Sequence, residues 1–226
     1  MKRMPLSVLL SFNGGYVDTA GFLALQGLFP AHVTGNFVTL GATLVMGGSG
    51  ALPKLLALPV FCLVILVSRI IGLILQRAGK PVLKCLLAAK VILLIAAASF
   101  SVIHGPFSNA TAAANLVMGM TLVSAMAVQN ALHRVHLAKS PPSTLMTGTT
   151  TQIMLDLAEI LAGKKGESSV QAIGRVKRMT VAVAAFALGC ACAALAIVFV
   201  PLVAFVIPAV LSIFSFVARV ETPEGD

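Results

Sequence analysis

His32-Val33-Thr34-Gly35-Asn36-Phe37-Val38-Thr39-Leu40 starts polar, continues apolar, and lies between segments greasy enough to cross a bilayer. It has an echo in Thr144-Leu145-Met146-Thr147-Gly148-Thr149-Thr150-Thr151-Gln152, which repeats the Thr-Gly step, the small hydroxyl residues and the apolar continuation. Each stretch follows a proline and a short polar connection, and each leads into an apolar run too short to span a membrane comfortably. We read them as paired half-helices facing a shared polar site.

The composition around them fixes the class. Of 226 residues, 58% are hydrophobic and 10% charged, and the mean hydropathy is +1.01, whereas soluble domains run at roughly 45–50% apolar and about 25% charged. Too little polar surface exists to coat a globule, so the chain reads as an integral membrane protein. Its spans must be helices, because backbone groups in lipid have to be satisfied within their own segment. The net charge of +9 does not point to nucleic acid: Lys and Arg sit mostly in short connections, Trp is absent and Tyr16 is the single tyrosine, so no stacking platform accompanies the charge. Cys62, Cys85, Cys190 and Cys192 lie in apolar runs without Cys/His spacing and read as buried, inert thiols. No metal or other cofactor is expected, and no nucleophile-base constellation marks an enzyme.

In chain order, the first apolar run, residues 6–28, carries Asn13, Gly14, Gly15 and Asp18 in its middle. Adjacent glycines cost about 1 kcal/mol each in a helix interior, so this helix is expected to be broken or tightly packed there. The start Met1-Lys2-Arg3 resembles that of a signal peptide, but the polar interruption and the poor cleavage site Ala31-His32-Val33 keep the segment as a span. Further spans are expected at 53–76 with Arg69, 81–104 with Lys90, 107–132, 179–200 and 201–218, separated by a glycine-rich loop at 47–50, the basic segment 133–139 and the charged stretch 163–178. An acidic tail at 220–226 is expected to be disordered.

Charge placement selects the topology. If the two short segments re-enter without crossing, six spans remain and Lys54 is the one basic connecting residue outside. Lys2, Arg3, Arg77, Lys80, Lys84, Arg134, Lys139, Lys164, Lys165, Arg175, Lys177, Arg178 and Arg219 then all fall inside, with both termini. The reading is an all-α, single membrane domain whose halves, about 6–104 and 107–219, form an inverted repeat. Aligning Thr34-Gly35 with Thr147-Gly148 sets Asp18 opposite Asn130, with one extra residue in the second connection.

Asp18 is the sharpest residue, since a carboxyl in mid-span marks a pathway, a coupling ion or an ion-pair partner, with Arg69 and Lys90 available. Arg69 could instead snorkel to the basic end of its span. The half-helix starts offer free N–H groups beside Thr34, Gly35, Asn36, Thr147, Gly148, Thr149, Thr150 and Gln152, with Gln129 and Asn130 at the end of the preceding span. His32 stands at the mouth, where protonation near neutral pH could gate or couple transport. Asp156 and Glu159 read as helix-end partners of Lys164 and Lys165. The function expected is a small secondary transporter or channel for a small ion or polar metabolite. The alternative is a non-transporting scaffold or membrane partner whose polar groups only glue helices together, and in either case small-residue faces such as 182–196 are expected to allow a homodimer.

Gly15-Tyr16-Val17-Asp18 with Gly21-Phe22, His32-Val33-Thr34-Gly35-Asn36, Gln129-Asn130-Ala131 and Thr147-Gly148 resemble, in order and spacing, the YoaK-like family of small bacterial membrane proteins. The resemblance covers nearly the whole chain. It implies a bacterial inner-membrane protein of about six spans and no assigned activity. This chain departs from the pattern in Ala127-Val128 before Gln129, where a Gly is common, and in the intramembrane Arg69.

Overall fold

A computed structural model describes residues 5–47, 50–107, 112–144, 146–163 and 167–217. Their regular structure is α-helical: α1 (Leu6–Ala24), α2 (Gly35–Met46), α3 (Ala51–Arg77), α4 (Val82–His104), α5 (Ala112–His136), α6 (Met146–Leu161), α7 (Glu167–Phe199) and α8 (Val206–Val217). Four of them, α3, α4, α5 and the Ser169–Phe199 part of α7, are long and apolar enough to cross a bilayer, so this is a multi-pass membrane protein. Met1 to Met4, Lys164, Lys165, Arg219 and the acidic tail lie outside the described residues.

The ends of the long helices are set locally. After α3, Gly79 takes φ 65°, and the amides of Gly79 and Lys80 donate to the carbonyls of Gln76 and Leu75 at 3.1 and 2.9 Å. That pair of bonds satisfies the last open carbonyls, and Arg77 in the final turn complements the negative helix end. Only 11% of the apolar window of α3 is buried, against 56% for α5, so α3 faces lipid while α5 is enclosed by protein.

Enclosure also explains α1. It is an unbroken helix, so of the two readings of its glycines tight packing is the one observed. It runs along α7: a Cβ on Gly15 would strike the Phe186 carbonyl, and one on Gly189 would strike the Phe12 carbonyl. Gly189, Ala193 and Ala196 therefore belong to an internal seam, with Ala193 and Ala196 in one core with Tyr16, Val17 and Ala20. The 182–196 face expected at a dimer contact packs within the chain at these positions. A helix covered by other helices needs no lipid-like surface, and that lets α1 carry Asn13 and Asp18.

The packing pairs recur. α1 lies on α7 as α5 lies on α3, and α2 packs on α3 as α6 packs on α7, while α8 lies against α4 and α1. The short helices α2 and α6 sit at the periphery, with Val38, Val45 and Met46 of α2 and Met154, Leu155 and Leu161 of α6 exposed. None of the four cysteines is fully buried and Cys62 is exposed on α3, so the expectation of buried thiols fails; all four are free.

Candidate functional site

Asp18 projects from α1 onto the connection 25–34 rather than toward a cation of another helix. Its Oδ1 accepts the amides of Ala31 and His32 at 2.7 and 3.2 Å, and its Oδ2 lies 2.6 Å from His32 Nδ1. The carboxylate is almost fully buried, while a third of the His32 side chain remains exposed. The Asp18 hydrogen bond raises the His32 pKa above 6.5, the Asp18 charge adds to it, and partial burial opposes it. His32 also meets the edge of Phe186 on α7, with ring centroids 5.6 Å apart.

Asp18 thus pairs with His32, not with the expected Arg69 or Lys90. Arg69 is exposed on α3. Lys90 is 1% exposed inside the bundle and makes no ion pair among the described residues. A carboxyl in mid-sequence looks unpaired because backbone amides, its main partners here, carry no letter in a sequence.

The connection that Asp18 holds is cross-braced. Phe29 N–H donates to Asn36 Oδ1 and Asn36 Nδ2 donates to the Phe29 carbonyl, both at 2.8 Å, so Asn36 closes the turn onto the start of α2. Pro30 packs directly on Gly21 of α1, where a side chain would collide with its ring. Beyond α2, buried Lys54 donates to Thr43 Oγ1 at 2.6 Å and ties α3 back to the short helix.

The second half builds a matching connection from different residues. Thr144 Oγ1 donates to Asn130 Oδ1 at 2.8 Å, and Gln129 Nε2 donates to Ser143 Oγ at 3.1 Å and to the Leu10 carbonyl at 2.9 Å. His32 lies 14 positions after Asp18 and Thr144 lies 14 after Asn130. Gly14 of α1 approaches Ser143 and Gln129 so closely that a methyl group would meet the Ser143 carbonyl at 2.8 Å. The polar core of each half therefore lies where a long helix grips the connection that follows it.

The two short helices pack on different partners, α2 on α3 and α6 on α7, and most of their starting residues are exposed. Thr34, Thr147, Gly148 and Thr150 are exposed, Gly35 is half-buried, and only Asn36 and Thr149 are buried. Thr150 and Thr151 donate back to the carbonyls of Met146 and Thr147 at 2.9 and 3.0 Å. Gln152 Nε2 donates to Asp156 Oδ1 at 2.8 Å. Asp156 is clasped by Arg175 of α7 through Nε and Nη2, both at 2.6 Å, a partner that sequence spacing does not reveal. That fork, with help from Gln152, holds the Asp156 carboxyl below its ordinary range. Among the described residues no cluster of three or more His, Cys, Asp or Glu could hold a metal.

A family model described as "Protein of unknown function (DUF1275)" matches residues 6–218. No curated protein and no solved structure matches the chain.

Proposed function

The chain belongs to this DUF1275 family, of unknown function, and from its geometry we propose that it is a small secondary transporter or channel built as an inverted repeat. In this reading α1, α3, α4, α5, α7 and α8 cross the bilayer, α2 and α6 re-enter it, and both termini are cytoplasmic in a bacterial inner membrane. The narrower likeness to the YoaK-like group is part of the same proposal. One observation carries it: in each half a polar side chain of the first helix, Asp18 or Asn130, grips the residue 14 positions on, His32 or Thr144, ahead of a short helix. The repeated packing of α1 on α7 and of α5 on α3 supports it independently. Inverted repeats with short, interrupted helices are a common frame for alternating access.

The solute is a small ion or small polar metabolite. Its coupling group is the Asp18–His32 pair, because the one-third-exposed imidazole is the part of the dyad that protons reach, and losing the pair would loosen the connection 25–34 on α1. Lys90 is a buried basic group of α4, and an ionisable side chain deep in a membrane protein marks a pathway by default.

Single cysteines at the exposed positions Thr34 and Thr147, in a Cys-free background in liposomes, test the architecture with a membrane-impermeant thiol reagent. Labelling of the first only from outside and of the second only from inside is expected; labelling from one side would sink the inverted repeat. Transport is read separately as charge movement driven by proton and small-ion gradients, and a protein silent in all of them would favour a scaffold. That second reading has its own observation, since both oxygens of Asp18 are already satisfied by its own connection.

A further inference from the structure

Where α5 ends and α7 begins, the connection 137–144 folds over a cavity of about 340 Å³. Its lining includes Arg134, Lys139, Arg175 and Arg178, four cations, with His133 and Asn130, and no carboxylate among the lining residues. In sequence these groups belong to two separate basic stretches that read only as topology signals. Packing places them around one space.

Two details mark this as a built site rather than a solvated basic rim. His133 is 7% exposed, and among the described residues neither of its ring nitrogens has a partner in hydrogen-bond geometry, although the Ser140 and Pro141 main chain lies near the ring. Unsatisfied buried donors or acceptors are costly, so a ligand oxygen that reached this imidazole would relieve a cost. Arg175, in turn, is held by Asp156 through Nε and Nη2, which fixes the guanidinium plane and leaves Nη1 outside the fork. Glu159, also of α6, acts on Arg175 from further off.

We infer that this cavity binds a phosphate group, held by Arg134, Arg178 and Nη1 of Arg175 with Lys139 and His133 completing the donor set. Guanidinium groups present paired donors that match phosphate oxygens, and an anion complements the positive lining of the cavity. The cavity holds a phosphate monoester or the headgroup of an anionic phospholipid. It lies beside the first turns of α7, where a charged segment gives way to an apolar one, so either source reaches it. Binding here does not depend on whether the chain moves a solute.

The test is equilibrium binding to the full-length protein in neutral detergent, with radiolabelled inorganic phosphate as one probe and a short-chain phosphatidylglycerol as the other. Saturable binding of either, weakened tenfold or more in R134Q/R178Q, is expected. Arg134 and Arg178 are exposed, so the double variant folds, and a thiol-dye melting curve checks this. Saturable phosphate binding identifies a soluble ligand, and binding of the lipid alone identifies a headgroup site; both support the inference. No saturable binding of either probe, or binding that R134Q/R178Q leaves unchanged, would overturn it.

Discussion

His32 Nδ1 sits 2.6 Å from Asp18 Oδ2 while the other carboxylate oxygen takes the amides of Ala31 and His32, so one acid fixes both the backbone and the side chain of the same residue. Removing it leaves two amides and an imidazole without their acceptor in a mostly buried place. Hydrogen bonds to a charged group contribute about 1.5–3 kcal/mol each, and Asp18→Ala is expected to lose at least that much. Asp18→Asn keeps an oxygen for the amides and loses the charge, so its melting temperature should fall between those of the wild type and Asp18→Ala. Equal melting of all three would show that the connection is held by Asn36 and Pro30 alone.

The same pair sets a pH dependence. His32 has its pKa raised in the folded chain, chiefly by the Asp18 hydrogen bond, above the unfolded value of 6.5. The folded state therefore binds the proton more tightly, and this contribution is complete below about pH 6.5 and lost as the pH climbs through the raised folded value. Melting temperature is expected to decline from about pH 6.5 upward, by a few degrees because the imidazole is partly exposed. His32→Gln should flatten that decline. A wild-type profile parallel to the variant's would remove His32 as its cause.

What can be read from the sequence and what cannot divides along physical lines. Long apolar runs declare helices because lipid leaves no other backbone solution, so α3, α4 and α5 lie close to the expected segments, and the short helices at 35–46 and 146–161 fall inside theirs. The charged stretch 163–178, expected as a connection, is different. From residue 167 it is the first part of α7, where charges decorate a helix before its apolar portion begins. Partners are the least legible. Asp18 stands out for its cost in mid-span, but the amides of Ala31 and His32 that offset it are invisible to residue typing. The Arg175 clasp on Asp156 and the grouping of Arg134 with Arg178 depend on how α5, α6 and α7 pack, which no local pattern encodes.

The seam between α1 and α7 makes a sharper stability prediction. Gly15→Ala and Gly189→Ala each drive a methyl group into a carbonyl of the facing helix, with no flexible side chain to move aside. Each is expected to destabilise the protein by about 1–3 kcal/mol, the usual cost of overpacking, and together they should behave non-additively because both act on one crossing. Gly148→Ala is the control: nothing stands within 4 Å of the methyl group it would add. As an exposed helical position it should be neutral or stabilising by up to about 1 kcal/mol. Thermal melting of the three variants separates a tight crossing from a general intolerance of substitution.

Lys90 carries the last prediction. It is 1% exposed in α4 and makes no ion pair among the described residues. A basic group without a carboxylate in such a place lowers stability, and natural proteins keep such groups where function requires them. Lys90→Met retains the length and apolar stem of the side chain and removes the charge. It should raise stability, because an apolar side chain carries no desolvation cost in that place. If Lys90 lies on the solute pathway, the same variant should lose charge movement in reconstituted vesicles while melting higher than the wild type. A variant that melts lower would show that the ammonium is held by favourable contacts, and the pathway role would fall with it.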